Sequence, residues 1–233
     1  MAITLRAQPV SPYATSLNLS IWRYLQNRTP ISWETKQWLI RAVQPEDKDF
    51  FQALFVDLRV MRNITDHEAR FRTLTPEQWK QQQTEAADKR VMQLVTRWVE
   101  GDPFSGFVII EKSSGERRAH VTAGHTNPPT PGKTEIAYMV PRDRWHQGYG
   151  TLAFKFILRY LDMLAKIYQT WSGFPLEIDG APLSGVVAVS RKDNKFSVRI
   201  LKKKMKKNPG EVEKWNVRLV VFQMPVNASP AKL

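Results

Sequence analysis

The chain has 233 residues, 42% of them hydrophobic, with eight Trp, no Cys and a formal net charge of +13. That composition fits a folded domain rather than a disordered segment, with room for one sizeable core or two small ones. It excludes disulfides, thiolate chemistry and Cys-based zinc sites, and no apolar run approaches the ~18 residues that span a membrane.

The N-terminus, MAITLRAQPVSPYATS, lacks the continuous apolar core of a secretory signal. With no Cys to oxidise, a cytoplasmic location is the expectation. Residues 1–32 carry no clear period and read as an N-terminal extension, in which Leu19 to Leu25 forms a short helix or strand docking on the core. From Trp33, the run ETKQWLIRAV reads as one strand, with Trp38 and Ile40 on one face and Leu39 on the other. Pro45-Glu46-Asp47 then opens a helix, Pro and acids in the first turn suiting the helix dipole. Its stripe is Phe50, Phe51, Leu54, Phe55, Leu58 and Met61. A short helix through His67 to Phe71 precedes a longer one opened by Thr75-Pro76-Glu77 and stopped by Gly101-Asp102-Pro103. Trp79, Met92, Val95 and Val99 are its apolar points.

Gly106 to Lys112 and Arg118 to Gly124 flank Ser113-Ser114-Gly115-Glu116, a hairpin pattern. After the Pro-rich TNPPTPGK comes the stretch that carries chemistry, TEIAYMVPRDRWHQGYGTLAFKFILR, from Thr134 to Arg159. Ile136 to Val140 is an apolar strand, Pro141 breaks it, and Gly148 and Gly150 flank Tyr149 in a loop. A helix follows from Thr151, with Leu152, Phe156, Tyr160, Met163, Leu164 and Ile167 on one face. Glycines let backbone approach a ligand closely, and a helix start presents unpaired N–H groups at its positive dipole end. That suits a phosphate or pyrophosphate. The Walker loop is excluded because Thr151-Leu152 stands where Lys-Ser/Thr is needed, and the dinucleotide fingerprint because it needs three glycines.

Residues 169–184, QTWSGFPLEIDGAPLS, break any regular period and read as an insertion. Val186 to Val189 reads as a buried parallel strand, and Asp193 or Asn194 as the N-cap of a helix with Phe196, Ile200 and Met205 facing inward. Asn208-Pro209-Gly210 reads as a turn, Val217 to Met224 as the last strand, and the tail begins at Pro225. Residues 191–214 hold ten Lys/Arg against three acids, a patch that attracts nucleic acid, acidic protein or an anionic cofactor unless it is simply a solvated face.

EIAYMV, then RWHQGYGTLA, then an apolar helix resembles the acetyl-CoA-binding motif of the GNAT superfamily of N-acetyltransferases. Trp145 and the Gly-Tyr-Gly core resemble its ribosomal-protein N-terminal (alanine) acetyltransferase branch. Two further tracts match in the same order, ETKQWLIRAVQPEDKDFFQALFVDLRVMRNI and DNKFSVRILKK. The resemblance implies an α/β (α+β) fold: a single GNAT-like domain over 33–224, with a central mixed, mostly antiparallel sheet splayed around the acetyl-CoA site and flanked by helices. Residues 1–32 and 225–233 lie outside it.

It also implies transfer of an acetyl group from acetyl-CoA, as co-substrate and without a metal, to a primary amine on a protein N-terminus, a Lys or a small molecule. The backbone N–H groups of Gln147, Gly148, Tyr149, Gly150 and Thr151 would take the pyrophosphate, beside Trp145 and His146. Edge groups at Tyr138, Met139 and Val140 would pair with pantetheine. Asn194 would bind pantetheine, and Ser197 would protonate the leaving thiolate. The general base is Glu135, His120, His125 or water. An acidic or RNA-associated acceptor would suit residues 191–214. Two departures stand out: the family's Glu-Lys-x-Gly-Phe is replaced by Lys202 to Lys207, and its general-acid Tyr has no counterpart in this helix. They leave open a second reading, a non-catalytic GNAT-like protein that binds acyl-CoA or nucleic acid; steep salt dependence would mark the nucleic-acid case.

Overall fold

Alternating and fully apolar strands between two kinds of helix produce a sheet covered on both faces. The computed structural model describes residues 12–64, 71–214 and 217–226. Its eight-stranded sheet has the order β1-β2-β3-β4-β5-β8-β10-β9. The strands are β1 (Ser32–Glu34), β2 (Trp38–Ala42), β3 (Gly106–Glu111), β4 (Arg117–His125), β5 (Lys133–Met139), β8 (Gly185–Arg191), β9 (Lys206–Lys214) and β10 (Val217–Pro225). Neighbours run antiparallel except β5 and β8, which are parallel. This is the mixed, mostly antiparallel sheet that the sequence resemblance implies.

One face of the sheet carries α1 (Pro12–Asn27) and α5 (Tyr149–Ser172). There Phe107 of β3 packs edge-on to Phe156 and Tyr160 of α5, ring centroids 4.9 and 4.7 Å away. The segment expected as an extension thus holds a helix whose Leu17, Ile21, Tyr24 and Leu25 lie in the main core. Their spacing is one helical face, but it sits among Ser, Asn and Arg residues that hide the period.

The other face carries α2 (Lys48–Val56), α3 (Leu58–Met61) and α4 (Pro76–Glu100). Thr75 and Gln78 form a capping box at the start of α4, with Pro76 in its first turn, and Gly101 at φ +89° ends it. Its buried face is Trp79, Gln83, Ala87, Val91, Leu94 and Trp98. Met92 and Val99, expected inside, are exposed. The sheet selects the face that includes small Ala87 and polar Gln83, and counting apolar residues points elsewhere. Beneath α2, fully buried Asp47 is gripped by Arg41 at 2.7 and 2.8 Å, by Arg117 at 2.7 Å and by the Gln44 N–H at 2.9 Å.

Three further expectations change. The single strand from Trp33 is a hairpin, because Thr35 Oγ1 accepts from the Trp38 N–H at 2.9 Å and closes a turn. The turn expected at Asn208-Pro209-Gly210 lies inside β9, where register with β10 shifts between Val220 and Phe222. β9 is an edge strand, and edges and bulges are where a strand tolerates Pro. Residues 169–184 split between the end of α5, capped by Gly173 at φ +76°, and a small hairpin of β6 (Glu177–Ile178) and β7 (Ala181–Pro182). The short helix expected at His67 to Phe71 lies, apart from Phe71, outside the described residues, as does the chain beyond Val226. Among the described residues no helix is long and apolar enough to cross a membrane.

Candidate active site

The parallel ladder between β5 and β8 ends after three partners, at Glu135 opposite Val187. Beyond it the strands diverge, and the β8-facing edge of β5 borders a cleft of about 670 Å³. Backbone donors and acceptors on such an edge need partners, which makes it a template for an extended ligand. The walls are Ile136 to Val140 on one side, Ala188 to Arg191 on the other, and the N-terminal turns of α5 and α6 (Lys195–Lys204) at the end. Tyr138, Met139 and Val140 therefore lie where an added strand would pair.

At the start of α5 the first intrahelical bond runs from the Leu152 N–H to the Gly148 carbonyl, at 3.0 Å. The preceding N–H groups of Tyr149, Gly150 and Thr151 point out of the helix end, with the positive end of its dipole behind them. The two glycines serve different needs. Gly148 sits at φ +89°, where a side chain would be strained, and no atom lies within 4 Å of where its Cβ would be. A Cβ on Gly150 would meet the Tyr138 ring at 3.0 Å and Ile200 Cδ1 at 3.3 Å. One glycine keeps the mouth of the loop open; the other lets β5 and α6 close on the helix.

Of the remaining loop residues, Trp145 and His146 reach the cleft wall. Trp145 Nε1 donates to the Val140 carbonyl at 2.9 Å, pinning the loop to the end of β5. His146, at φ +64°, meets the exposed Phe196 ring at a centroid distance of 4.4 Å. Phe196, expected inside, is 58% exposed, while Leu201 and Met205 are buried. Leu201 closes the core beneath the helix, which frees the Phe196 position for the mouth of the cleft. Gln147 is not on the cleft wall; its side chain turns back to the Asp143 carbonyl at 3.0 Å.

Asn194 caps α6, its Oδ1 accepting from the Ser197 N–H at 3.1 Å. That resolves the choice of N-cap in favour of Asn194 over Asp193, which pairs with Arg191 at 2.9 Å. Tyr138 Oη donates to Ser197 Oγ at 3.2 Å, joining β5 to α6 inside the cleft. Burial raises the Tyr138 phenol above its ordinary pKa, against the opposing effect of the Ser197 hydrogen bond, so it remains a donor at neutral pH.

Cations gather on the same walls: Arg59 and Arg62 from α3 and the turn after it, Arg144, Arg191, Lys195 and Arg199. Arg144 is engaged by Glu116 at 3.2 Å and Asp143 at 3.0 Å. Lys195 and Arg199 form no ion pair among the described residues. A share of the basic 191–214 segment therefore faces the cleft.

A second cavity, about 630 Å³, lies on the opposite face of β5, between β4 and α4. It shares Ile64, Ala137, Tyr138 and Met139 with the cleft. Buried His120 lines it, with Nδ1 bonded to the Phe107 carbonyl at 3.0 Å. Burial, followed by the field of Arg90, lowers the His120 pKa to about 3, so it is a neutral ring and a weak base. His125 lies at the far end of β4, held by Asp179 at 2.7 Å and Asp102 at 3.3 Å. It ties the β6–β7 hairpin to the sheet and is absent from the lining of both cavities. Glu135 borders the cleft at the point where the ladder ends. Strand alternation puts it on the same face as Ala137 and Met139, toward the second cavity.

The Tyr138 side chain and the polar floor of the second cavity escape the sequence reading. The alternation Ile136, Tyr138, Val140 carried the signal for the first, and the seven-residue spacing of Gln83 and Arg90 on α4 the signal for the second.

Among curated proteins, none matches this chain in sequence. Solved structures share the fold. An acetyltransferase (GNAT family) from Bacillus anthracis superposes with a TM-score of 0.55 at 14% identity, covering 84% of this chain and 99% of its own. Ribosomal-protein-S5-alanine acetyltransferase from Vibrio fischeri gives 0.52 at 16% identity, with 85% and 98% covered. Mycobacterium smegmatis RimJ in complex with CoA-disulfide gives 0.54 at 15%, with 81% of each chain covered. At these identities the likeness is one of fold. The acetyltransferase (GNAT) domain model matches residues 37–204, most of the chain, from β2 through α6. The splayed strands and the glycine-opened helix fall within that match, and the chain belongs to the GNAT family of acyl-CoA-dependent acetyltransferases.

Proposed function

We propose that this protein moves the acetyl group of acetyl-CoA to a primary amine by direct attack. The observation that carries the proposal is the open β5 edge beside the unpaired N–H groups of Tyr149, Gly150 and Thr151. A thioester carried on an extended pantetheine arm fits an edge, and a pyrophosphate fits a helix N-terminus. The open space at Gly148 and the cations Lys195 and Arg199 suit the phosphates.

In this reading the amine enters from the second cavity and meets the acetyl carbonyl at the shared wall of Tyr138 and Met139. Glu135 takes the ammonium proton, directly or through water, since His120 is too weak a base. The amine nitrogen bonds to the carbonyl carbon, and backbone N–H groups of the β5 edge stabilise the oxyanion. The C–S bond then breaks as the carbonyl re-forms; the thiolate takes a proton from Ser197 Oγ, Tyr138 Oη passes its own to Ser197, and the second proton of the attacking nitrogen leaves through water to restore Tyr138. Tyr138 donates to that oxygen, leaving the Ser197 hydrogen free to point into the cleft. This supplies the donor whose usual Tyr is missing from α6, and it favours turnover over the non-catalytic reading.

The test is release of free CoA thiol from acetyl-CoA across a panel of amines, followed with a thiol reagent; the protein, having no Cys, gives no background. Saturable thiol release that requires an amine is the expected result. Folded protein that releases no thiol with any amine would overturn the proposal, and RNA binding by the 191–214 segment would then be the reading to pursue.

A further inference from the structure

The floor of the second cavity is polar where an interior would be apolar. Gln83 is 5% exposed, lines this cavity, and has no hydrogen-bond partner among the described residues. Thr122 is buried beside it, its hydroxyl no nearer than 3.5 Å to the Ala137 carbonyl. His120 contributes Nε2 as an acceptor, because Nδ1 donates to the Phe107 carbonyl. Arg90 completes the floor: its Nη1 donates to Gln93 at 2.8 Å, and it forms no ion pair among the described residues. Of these groups Gln83 alone has no partner among the described residues, while His120 Nε2 and the remaining Arg90 donors have capacity to spare, so the cavity suits a polar occupant.

The electrostatics identify the occupant. Burial, then repulsion from Arg97, lowers the Arg90 pKa to about 10, only partly offset by Glu135, so it stays charged at neutral pH. His120 cannot share that charge. Glu85 and Lys89 also line the cavity, but both are exposed at its rim, where water screens them. Arg90 is half-buried and feels the charge of Glu135, yet among the described residues only its Nη1 is engaged, by Gln93, which leaves the rest of the guanidinium fork for a further anion. The rest of the lining is largely apolar: Phe55, Met61 and Ile64, with Met139 beside His120 on the neighbouring strand.

Resting on the acetyl-transfer reading, we infer that the acceptor is an amine that also bears a carboxylate and an apolar side chain, an apolar α-amino acid. Its carboxylate is held by Arg90 and Gln83, its side chain lies against Phe55 and Met139, and its amine is presented at the shared β5 wall. The cavity volume of about 630 Å³ suits a molecule of that size. A guanidinium fork is the side chain best matched to a carboxylate.

The experiment compares L-leucine, L-methionine and L-phenylalanine with their amides and with phenethylamine, by steady-state thiol release with the full chain. The expected result is a kcat/KM for the acids at least tenfold above that for the amides. In Arg90→Gln the KM for the acids rises by about tenfold to a hundredfold, the range of a charge-assisted hydrogen bond, and the acid-to-amide ratio collapses toward one. Arg90→Lys, which keeps the charge, recovers part of the ratio. Amides or phenethylamine turned over as well as the acids, or acid and amide falling together in Arg90→Gln, would overturn the inference while leaving acetyl transfer standing. Thiol release with no amine at all would remove both.

Discussion

A carboxylate placed at Gly148 tests the anion-binding role of the α5 N-terminus with little confusion from folding. The position has φ +89° and open space around the missing Cβ, so a Cβ there meets no atom within 4 Å. Forcing an L-residue into left-handed backbone costs about 1–2 kcal/mol, partly offset by about 0.4–1 kcal/mol of lost unfolded-state entropy. Gly148→Ala and Gly148→Glu should therefore both fold, with melting points within about 2–6 °C of the parent. Binding separates them. A carboxylate about 5 Å from one phosphate charge is repelled by about 3 kcal/mol at an effective dielectric of 20, roughly a hundredfold or more in Kd. Gly148→Ala adds bulk without that charge and should weaken binding less. The assay is calorimetry with acetyl-CoA on all three proteins, repeated at higher salt, where screening should narrow the gap between Ala and Glu. Equal affinity of Gly148→Glu and the parent would refute the placement of the pyrophosphate at this helix end.

Three further predictions address chemistry and stability. Ser197→Ala should lower kcat for thiol release by about a hundredfold, the low end of general-acid effects, with little change in the KM for acetyl-CoA; an equal change in both would assign Ser197 to binding. Asp47→Ala leaves Arg41 and Arg117 without their buried partner and should cost about 3–5 kcal/mol in urea unfolding. Burial alone would raise the Asp47 pKa, but hydrogen bonds from Arg41, the Gln44 N–H and Arg117 outweigh it and hold it below the usual value. Its contribution is thus complete above the unfolded value of about 3.9 and is lost as pH falls through the lower folded value, so the gap between parent and Asp47→Ala should close in acid. Removing residues 1–30 uncovers the partners of Leu17, Ile21, Tyr24 and Leu25. At about 1.5–3 kcal/mol for each buried side chain, the loss rivals the whole stability of a domain, and the truncated chain should be unfolded by circular dichroism.

The sequence made the glycine loop and its helix legible because each requirement there is local: an apolar run, a Pro, two glycines, then a 3.6-residue period. The cap of α6 was legible to within one residue, Asp193 or Asn194, since a cap acts within three residues of itself, and the structure chose Asn194. What escaped depends on partners far along the chain. Tyr138 and Ser197 are 59 residues apart, and their hydrogen bond exists only because β5 and the start of α6 line one cleft. The buried face of α4 was misread because the sheet, not the helix, decides which side is covered. β9 was misread as a turn because Pro209 excludes a central strand but not an edge with an irregular register.

The basic segment shows how a charge count changes meaning once the fold is in place. As a run, residues 191–214 look like one surface for nucleic acid or an acidic partner. In the fold Arg191 is paired with Asp193 and Lys192 with Glu211, at 2.9 Å each, which neutralises part of the run. Lys195 and Arg199 turn to the cleft, next to the α5 N-terminus. Lys202 to Lys204 fall in the last turn of α6, where cations are favoured by the negative end of the helix dipole. Seven of the ten basic residues, Arg191 to Lys204, thus have a local reason to be basic, and none of those reasons needs a polyanion. A single nucleic-acid surface would instead require the run to act together, and it would weaken steeply with salt in proportion to the phosphates neutralised. If acetyl-CoA binding shows a shallow slope that Lys195→Ala and Arg199→Ala each reduce by about one, the two side chains are neutralising the cofactor's own phosphates. A slope left unchanged by both substitutions would return the charge to the solvent.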